Sequence, residues 1–513
     1  MKLQVGVIGQ SPMWEQLLAQ EGVPFQFIPS GRIDDGYAVV IVNRVMSRDE
    51  LLQVEKYLSG GGAILGFAGH LDGVSGTASR RERVDYLLAD HDEIFPDVQL
   101  LDLSVEGEIP REANCLRTQA NTFGVFAGSL NGGYAVILPF DPVDAMTDIR
   151  VANKSFYALR ERLPSERISA VGKGEVRHLL HRAFEYLFRM RNLPYVHLWY
   201  YPNGMKNLFC FRIDTDGGSR EEVDQLYHIA LEYDIGMSWF VDVKSHEEWL
   251  QHFAFLTKQE IGVHCYEHLT FEDYDANLKN ISKAKAKLQQ VGLSSKGFAA
   301  PFGIWNPALA RAIDKMAFDY SSEFSYLYDS FPLYPSHGTE TFLTLQVPIH
   351  PICIGSLKKV GYTETQMKEY FIRVIDEKLL RDEPLFFYHH PTHHCWGVVR
   401  AMFRYVEEKQ IDNTTMIDYS RWWLKRLNHS VTVVLNGDTL SVTRKKSHAD
   451  SIWLHVVRPD GSEAFLEPGE SIDMNAVQWS SKRKTFSPPA DIRRIREFDP
   501  RKTLGDLFTS MTR

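Results

Sequence analysis

Hydrophobic positions near the start of the chain come in short runs separated by longer amphipathic stretches. Val5-Gly6-Val7-Ile8 and Tyr37-Ala38-Val39-Val40-Ile41-Val42 are apolar runs of strand length, the pattern of strands buried on both faces of a parallel sheet. Between and after them, Trp14 to Glu21 and Ser47 to Leu58 carry the helical period, with Ser47 placed to cap the second helix. Gly60-Gly61-Gly62 stops that helix and Ala63-Ile64-Leu65-Gly66-Phe67-Ala68 reads as another buried strand. The glycines precede a strand rather than opening a helix, so they read as a helix stop and not as a phosphate loop. Gly174 to Phe188 is strongly helical and is broken at Asn192-Leu193-Pro194, which predicts a boundary near residue 190. Trp422-Trp423-Leu424-Lys425-Arg426 closes a last helix, after which Val431 to Thr443 reads as strand, Asn-Gly turn, strand, and the remainder as all-β.

Length and composition narrow this picture. A chain of 513 residues is too long for one ordinary core. With 44% hydrophobic and 24% charged residues it has a soluble, globular composition. A net charge of −9 without a basic cluster argues against nucleic acid as a partner. No run of about 18 apolar residues predicts a membrane span. Met1 to Gln10 reads as a strand rather than an export signal, so a cytoplasmic location is expected. The five cysteines are scattered and odd in number, which favours reduced thiols.

Candidate chemistry lies in the middle of the chain. Phe209-Cys210-Phe211-Arg212-Ile213-Asp214-Thr215-Asp216-Gly217-Gly218 is an apolar strand that ends in two carboxylates and a glycine turn, and α/β barrels expose their functional groups at such strand ends. About fifty residues on, Glu260-Ile261-Gly262-Val263 runs into His264-Cys265-Tyr266-Glu267-His268, whose two imidazoles can share one side of a turn. One carboxylate with two imidazoles and positions left open suits a catalytic Zn²⁺, with Co²⁺, Ni²⁺ or Mn²⁺ as alternatives. Two further strands deliver Gly297-Phe298-Ala299-Ala300-Pro301-Phe302-Gly303 and Pro384-Leu385-Phe386-Phe387-Tyr388-His389-His390-Pro391.

In order and spacing these four pieces resemble the polysaccharide deacetylases, the NodB homology domain of carbohydrate esterase family 4, over about residues 195–420. That resemblance implies a distorted (β/α) barrel, metal ligation by Asp216, His264 and His268, Asp214 as general base, and a histidine as general acid. His390 is aligned with that acid by the proline after it, with His389 in reserve, since neighbouring strand residues face opposite ways. His393 and His394 read as solvated turn residues. Ala299 stands where the family carries an arginine that orients the base. Arg212, two residues before Asp214 on the same strand face, is the expected replacement. Pro301, Phe302, His350, Asp329 and His389 are candidate substrate contacts, although an aromatic core accounts for the region around Asp329 and His350 equally well.

The N-terminal region is similar in architecture to amidotransferase-like α/β domains, but Phe67-Ala68-Gly69-His70 offers no nucleophile at the turn. The expected fold class is therefore α/β multidomain. Residues 1–190 form an amidotransferase-like or flavodoxin-like (Rossmann-type) α/β domain, 191–426 a NodB-like barrel, and 427–513 a small β-sandwich-like domain. The expected activity is removal of an N-acyl group, in the first instance acetyl, from an amino sugar of a polysaccharide or its precursor, with that carbohydrate as partner. Two rivals are a metal-dependent nucleotide-sugar glycosyltransferase built on Asp214 and Asp216, which has no need of His264 and His268, and a catalytically silent carbohydrate-binding or scaffold protein.

Overall fold

A computed structural model describes residues 1–28, 33, 36–90, 92–444, 451–467, 469–481 and 486–497. The apolar runs at the start of the chain become the strands Val5–Ile8, Val39–Val42 and Ala63–Phe67, all hydrogen-bonded in parallel. They sit in a nine-stranded sheet whose other half is a set of antiparallel strands between Ser79 and Leu138. Ser47 caps the helix Arg48–Ser59 with a complete capping box to Glu50, satisfying two end groups reciprocally. Gly60 ends that helix and Gly61 takes a left-handed φ of 82°, so the glycines act as a stop.

The middle of the chain forms a ring of parallel strands. These are β1 (Leu208–Asp214), β2 (Met237–Val241), β3 (Glu260–Val263), β4 (Gly297–Phe298), β5 (Tyr320–Ser321), β6 (Leu345–Gln346) and β7 (Leu385–His389), paired in chain order with β7 returning to β1. Strands β6 and β7 do not pair as a ladder. Beyond the end of β6, the His350 N–H donates to the Phe386 carbonyl of β7 at 2.8 Å and spans the gap. The result is a distorted seven-stranded (β/α) barrel with helices such as Arg220–Glu232 and Tyr274–Gln290 around it. Parallel pairing places the C-terminal ends of β1, β3, β4 and β7, and so all four motifs, at one rim.

The strands of 427–513, expected as a small β-sandwich-like domain, fall into two sheets. Val431–Asn436, Thr439–Arg444 and Ser471–Asp473 form one three-stranded sheet, whose first strand hydrogen-bonds to the N-terminus through Leu3 N–H and the Val433 carbonyl at 2.9 Å. Leu454–Val457 and Glu463–Leu466 instead extend Tyr195–Leu198 into another sheet. The strands satisfy their backbone groups against distant partners because neither group buries two faces alone. The hairpin turn falls at Gly437-Asp438, with Asn436 still paired to Thr439. Residues 498–513 of that predicted domain lie outside the described residues.

One apolar cluster joins Val5 and Val7 of the first sheet, Leu179 and Phe184 of helix Lys173–Met190, Trp305 and Tyr326 of the barrel, and Val433 and Leu454 near the C-terminus. The divisions at residues 190 and 426 thus mark changes of sheet within a shared core. Arg426, fully buried, reinforces the junction. Its guanidinium donates to the carbonyls of Ala19, Gln20 and Glu21 at the end of helix Pro12–Glu21, and to those of Leu198 and Trp199.

Candidate active site

Strand β1 ends by presenting Arg212 and Asp214 to the barrel interior, two residues apart and so on one face. Both are buried, and they form a forked pair: Arg212 Nε donates to Asp214 Oδ1 and Nη2 to Oδ2, each at 2.6 Å. The remaining Arg212 nitrogen donates to the Ser322 carbonyl at 2.8 Å and contacts the Ser322 hydroxyl at 3.1 Å. A buried arginine so placed fixes the carboxylate in position as well as balancing its charge. Thr215 then donates its N–H to the Phe240 carbonyl, and the chain turns through Asp216 (φ 36°) and Gly217 (φ 69°). Both are residue types that tolerate this region.

Asp216 faces three imidazoles. Its Oδ1 lies 3.0 Å from His268 Nε2 and 3.2 Å from His264 Nε2, while Oδ2 lies 3.2 Å from His390 Nε2. Burial works to raise the Asp216 carboxyl, but His390, His264 and His268 outweigh it and hold the group far below the ordinary carboxylate range. For His268 the order is the same: burial depresses the imidazole and Asp216 more than compensates, leaving it raised.

The loop after β3 is shaped to aim its two histidines. His264 Nδ1 lies 2.8 Å from the Ala299 carbonyl; because a carbonyl can only accept, Nδ1 is the donor of that bond and Nε2 is the nitrogen turned toward Asp216. Cys265 adopts a left-handed φ of 66°. Asn280 then clasps the turn, accepting from the N–H groups of Tyr266 and Glu267 and donating to the carbonyls of Glu267 and Leu269. This places His268 Nε2 3.2 Å from His264 Nε2. Two imidazole nitrogens and a carboxylate oxygen converge here as an N₂O donor set that could hold a divalent ion.

The other predicted site residues divide. Phe302, at a φ of 59°, keeps 44% of its surface exposed and sets its ring edge-on to His268 at 5.0 Å between centroids. Pro301 is buried beneath that turn. His389 faces the other way from His390, buried against Phe211 and Trp396, with neither ring nitrogen hydrogen-bonded. Burial, with help from the His393 and His390 rings, keeps it far below the ordinary imidazole range, and its side chain is enclosed in the core. His350 and Asp329 are held in a hydrogen-bonded network. They bond to each other at 3.0 Å, His350 Nε2 meets the Tyr370 hydroxyl at 3.0 Å, and Asp329 meets Lys378 at 2.7 Å. Together they line a cavity of about 100 Å³ that also borders Asp102 and Arg496. His393, expected on the solvated surface, packs against His390 at 4.5 Å between ring centroids, whereas His394 is more than half exposed beside Glu222.

Sequence reasoning missed Ser322 and Asn280. Asn280 carried a signal, a polar residue on the buried face that Ile281, Ala284 and Leu288 define in helix Tyr274–Gln290. Ser322 carried none.

No protein-family model matches the chain, and no curated protein matches it. Among solved structures, it is similar to a protein assigned as a polysaccharide deacetylase from Mycobacterium smegmatis (17% identity, 44% of this chain and 93% of that one, TM-score 0.38). It is also similar to a family 4 carbohydrate esterase from Streptomyces lividans in complex with acetate (11%, 41% and 93%, TM-score 0.30). A third is a CE4 family pseudoenzyme from Bacillus anthracis (12%, 43% and 68%, TM-score 0.31). Scores this low assign no function, which must rest on the side chains themselves.

Proposed function

We propose that the barrel is a metal-dependent hydrolase that removes an N-acyl group, acetyl in the first instance, from an amino sugar. The observation that carries this reading is the placing of the forked Arg212–Asp214 pair next to the convergent Asp216, His264 and His268, with His390 on the second oxygen of Asp216. Asp216, His264 and His268 would hold a divalent ion, which would supply Lewis-acid polarisation of the acyl carbonyl and acidify a neighbouring water.

The chain's own groups supply the proton transfers. Asp214, held by Arg212 with lone pairs to spare, accepts the proton that water releases on attack. Arg212 takes the orienting role that Ala299 cannot fill. His390 presents Nε2 at the site and delivers a proton to the departing nitrogen, without which an amine is a poor leaving group. The exposed face of Phe302 offers a sugar ring an apolar platform beside His268. A nucleotide-sugar transferase gives the two histidines no task, so their convergence favours hydrolysis.

Metal content of the purified chain, followed by acetate release from a panel of N-acetylated sugars, tests this. The wild type is expected to hold metal and release acetate. Asp214→Asn should keep the metal and lose on the order of 10²–10⁴ in rate, and Arg212→Ala should lower activity and alter its pH profile. A chain that takes up no metal and releases no acetate sinks the proposal.

A further inference from the structure

A second set of metal-type donors lies behind His390. Cys353 Sγ, one nitrogen of His390 and one of His393 lie within 4.8 Å of one another. The His390 Nε2 side is taken by Asp216 Oδ2 at 3.2 Å. With a carboxylate oxygen in front of it, Nε2 is engaged by the first site, and Nδ1 is the ring nitrogen left to face Cys353 and His393. His393 Nδ1 is buried without a hydrogen-bond partner, and His390 Nδ1, equally buried, has only the Cys353 thiol beside it; a buried polar atom left so poorly satisfied is one that a ligand can complete. Cys353 is itself buried, only 3% exposed.

The seat of His393 is cut to shape. Its ring lies against Gly355 so closely that a Cβ added there would sit 2.1 Å from Cε1 and 2.5 Å from each ring nitrogen. Pro391–His393 forms a tight helical turn, with the His393 N–H donating to the His390 carbonyl at 3.0 Å. The turn brings the two imidazoles onto the same thiol.

We propose that Cys353, His390 Nδ1 and His393 form a second, thiolate-containing site for a divalent ion of the zinc class, contiguous with the Asp216, His264 and His268 site. One thiolate and two imidazoles are borderline-to-soft ligands that select zinc or cobalt over magnesium or calcium. On binding, the thiol releases its proton to solvent and the ion completes both nitrogens. The two sites share His390 through different nitrogens, so the ring keeps Nε2 toward the first site while Nδ1 is fixed from behind. This goes beyond the hydrolase reading and does not depend on it.

The full chain, stripped of metal and titrated with Co²⁺, tests the assignment through stoichiometry and absorption. The wild type should take up two ions and show a thiolate-to-cobalt charge-transfer band. Cys353→Ser and His393→Ala should each take up one and lose the band. Asp216→Ala should take up one and keep it, and Gly355→Ala should weaken the band-forming ion about 10–100-fold by pushing His393 off its seat. A wild type with one ion and no thiolate band overturns this proposal and leaves the hydrolase reading standing. Loss of only the Asp216-dependent ion, with the band intact, does the reverse.

Discussion

Glu323 illustrates how far single residues depart from their solution behaviour in this barrel. It is fully buried, its Oε1 accepts from the N–H groups of Ala300 and Ser322, and its Oε2 has no partner. Burial, only partly opposed by hydrogen bonds and by Arg212, pushes its carboxyl from 4.5 up to about 7. Between those two values the folded chain holds a proton that the unfolded chain releases, so stability declines as pH rises through that window, by at most about 3 kcal/mol. Glu323→Gln keeps the acceptor and removes the titration. Its urea midpoint should therefore fall less than that of the wild type between pH 5 and pH 8; parallel declines would show that other groups control the loss. The Arg212–Asp214 pair was legible at the same scale, because strand periodicity alone puts residues two apart on one face. Nothing comparable pointed to Ser322, which reaches Arg212 from 110 residues away.

At the scale of elements, the loops after the barrel strands owe their shape to side chains borrowed from helices. Asn280 of helix Tyr274–Gln290 satisfies two N–H groups and two carbonyls of the turn that carries His268. Asn280→Ala leaves those groups unpaired, at a cost of about 1–3 kcal/mol. Because the turn then loosens, metal affinity should drop about tenfold or more, as for other residues that orient ligands. Competition with a chelator would measure it, and an unchanged affinity would mean that the turn holds its shape unaided. The elements themselves were largely readable. The apolar runs, the Ser47 cap and the strand ends at Asp214 and Val263 follow from local pattern. The role of the final motif was half readable: alternation separates His389 from His390, but only the helical turn at Pro391–His393 brings His393 back from the expected surface.

For the whole molecule, the legible part ended at the domain boundaries. Composition and periodicity locate changes of element type, but not which strands pair across hundreds of residues, so the union of Tyr195–Leu198 with Leu454–Val457 had no local signal. Arg426 concentrates this long-range order. Replacing it with leucine leaves the carbonyls of Ala19, Gln20, Glu21, Leu198 and Trp199 without that donor. The expected destabilisation is at least about 3 kcal/mol, read as a lowered midpoint in a single, cooperative urea transition. Two separated transitions, with the barrel signal unshifted, would show that the segments fold independently.

That buried guanidinium also bears on how the protein can be taken apart. A fragment trimmed to 191–426 keeps every proposed catalytic group, yet it strips Arg426 of its three acceptors on helix Pro12–Glu21 and lays Trp305 and Tyr326 open to water. The barrel is therefore not a portable module. Excised from its flanks it should aggregate, and active material should be recoverable only when both ends of the chain are supplied with it.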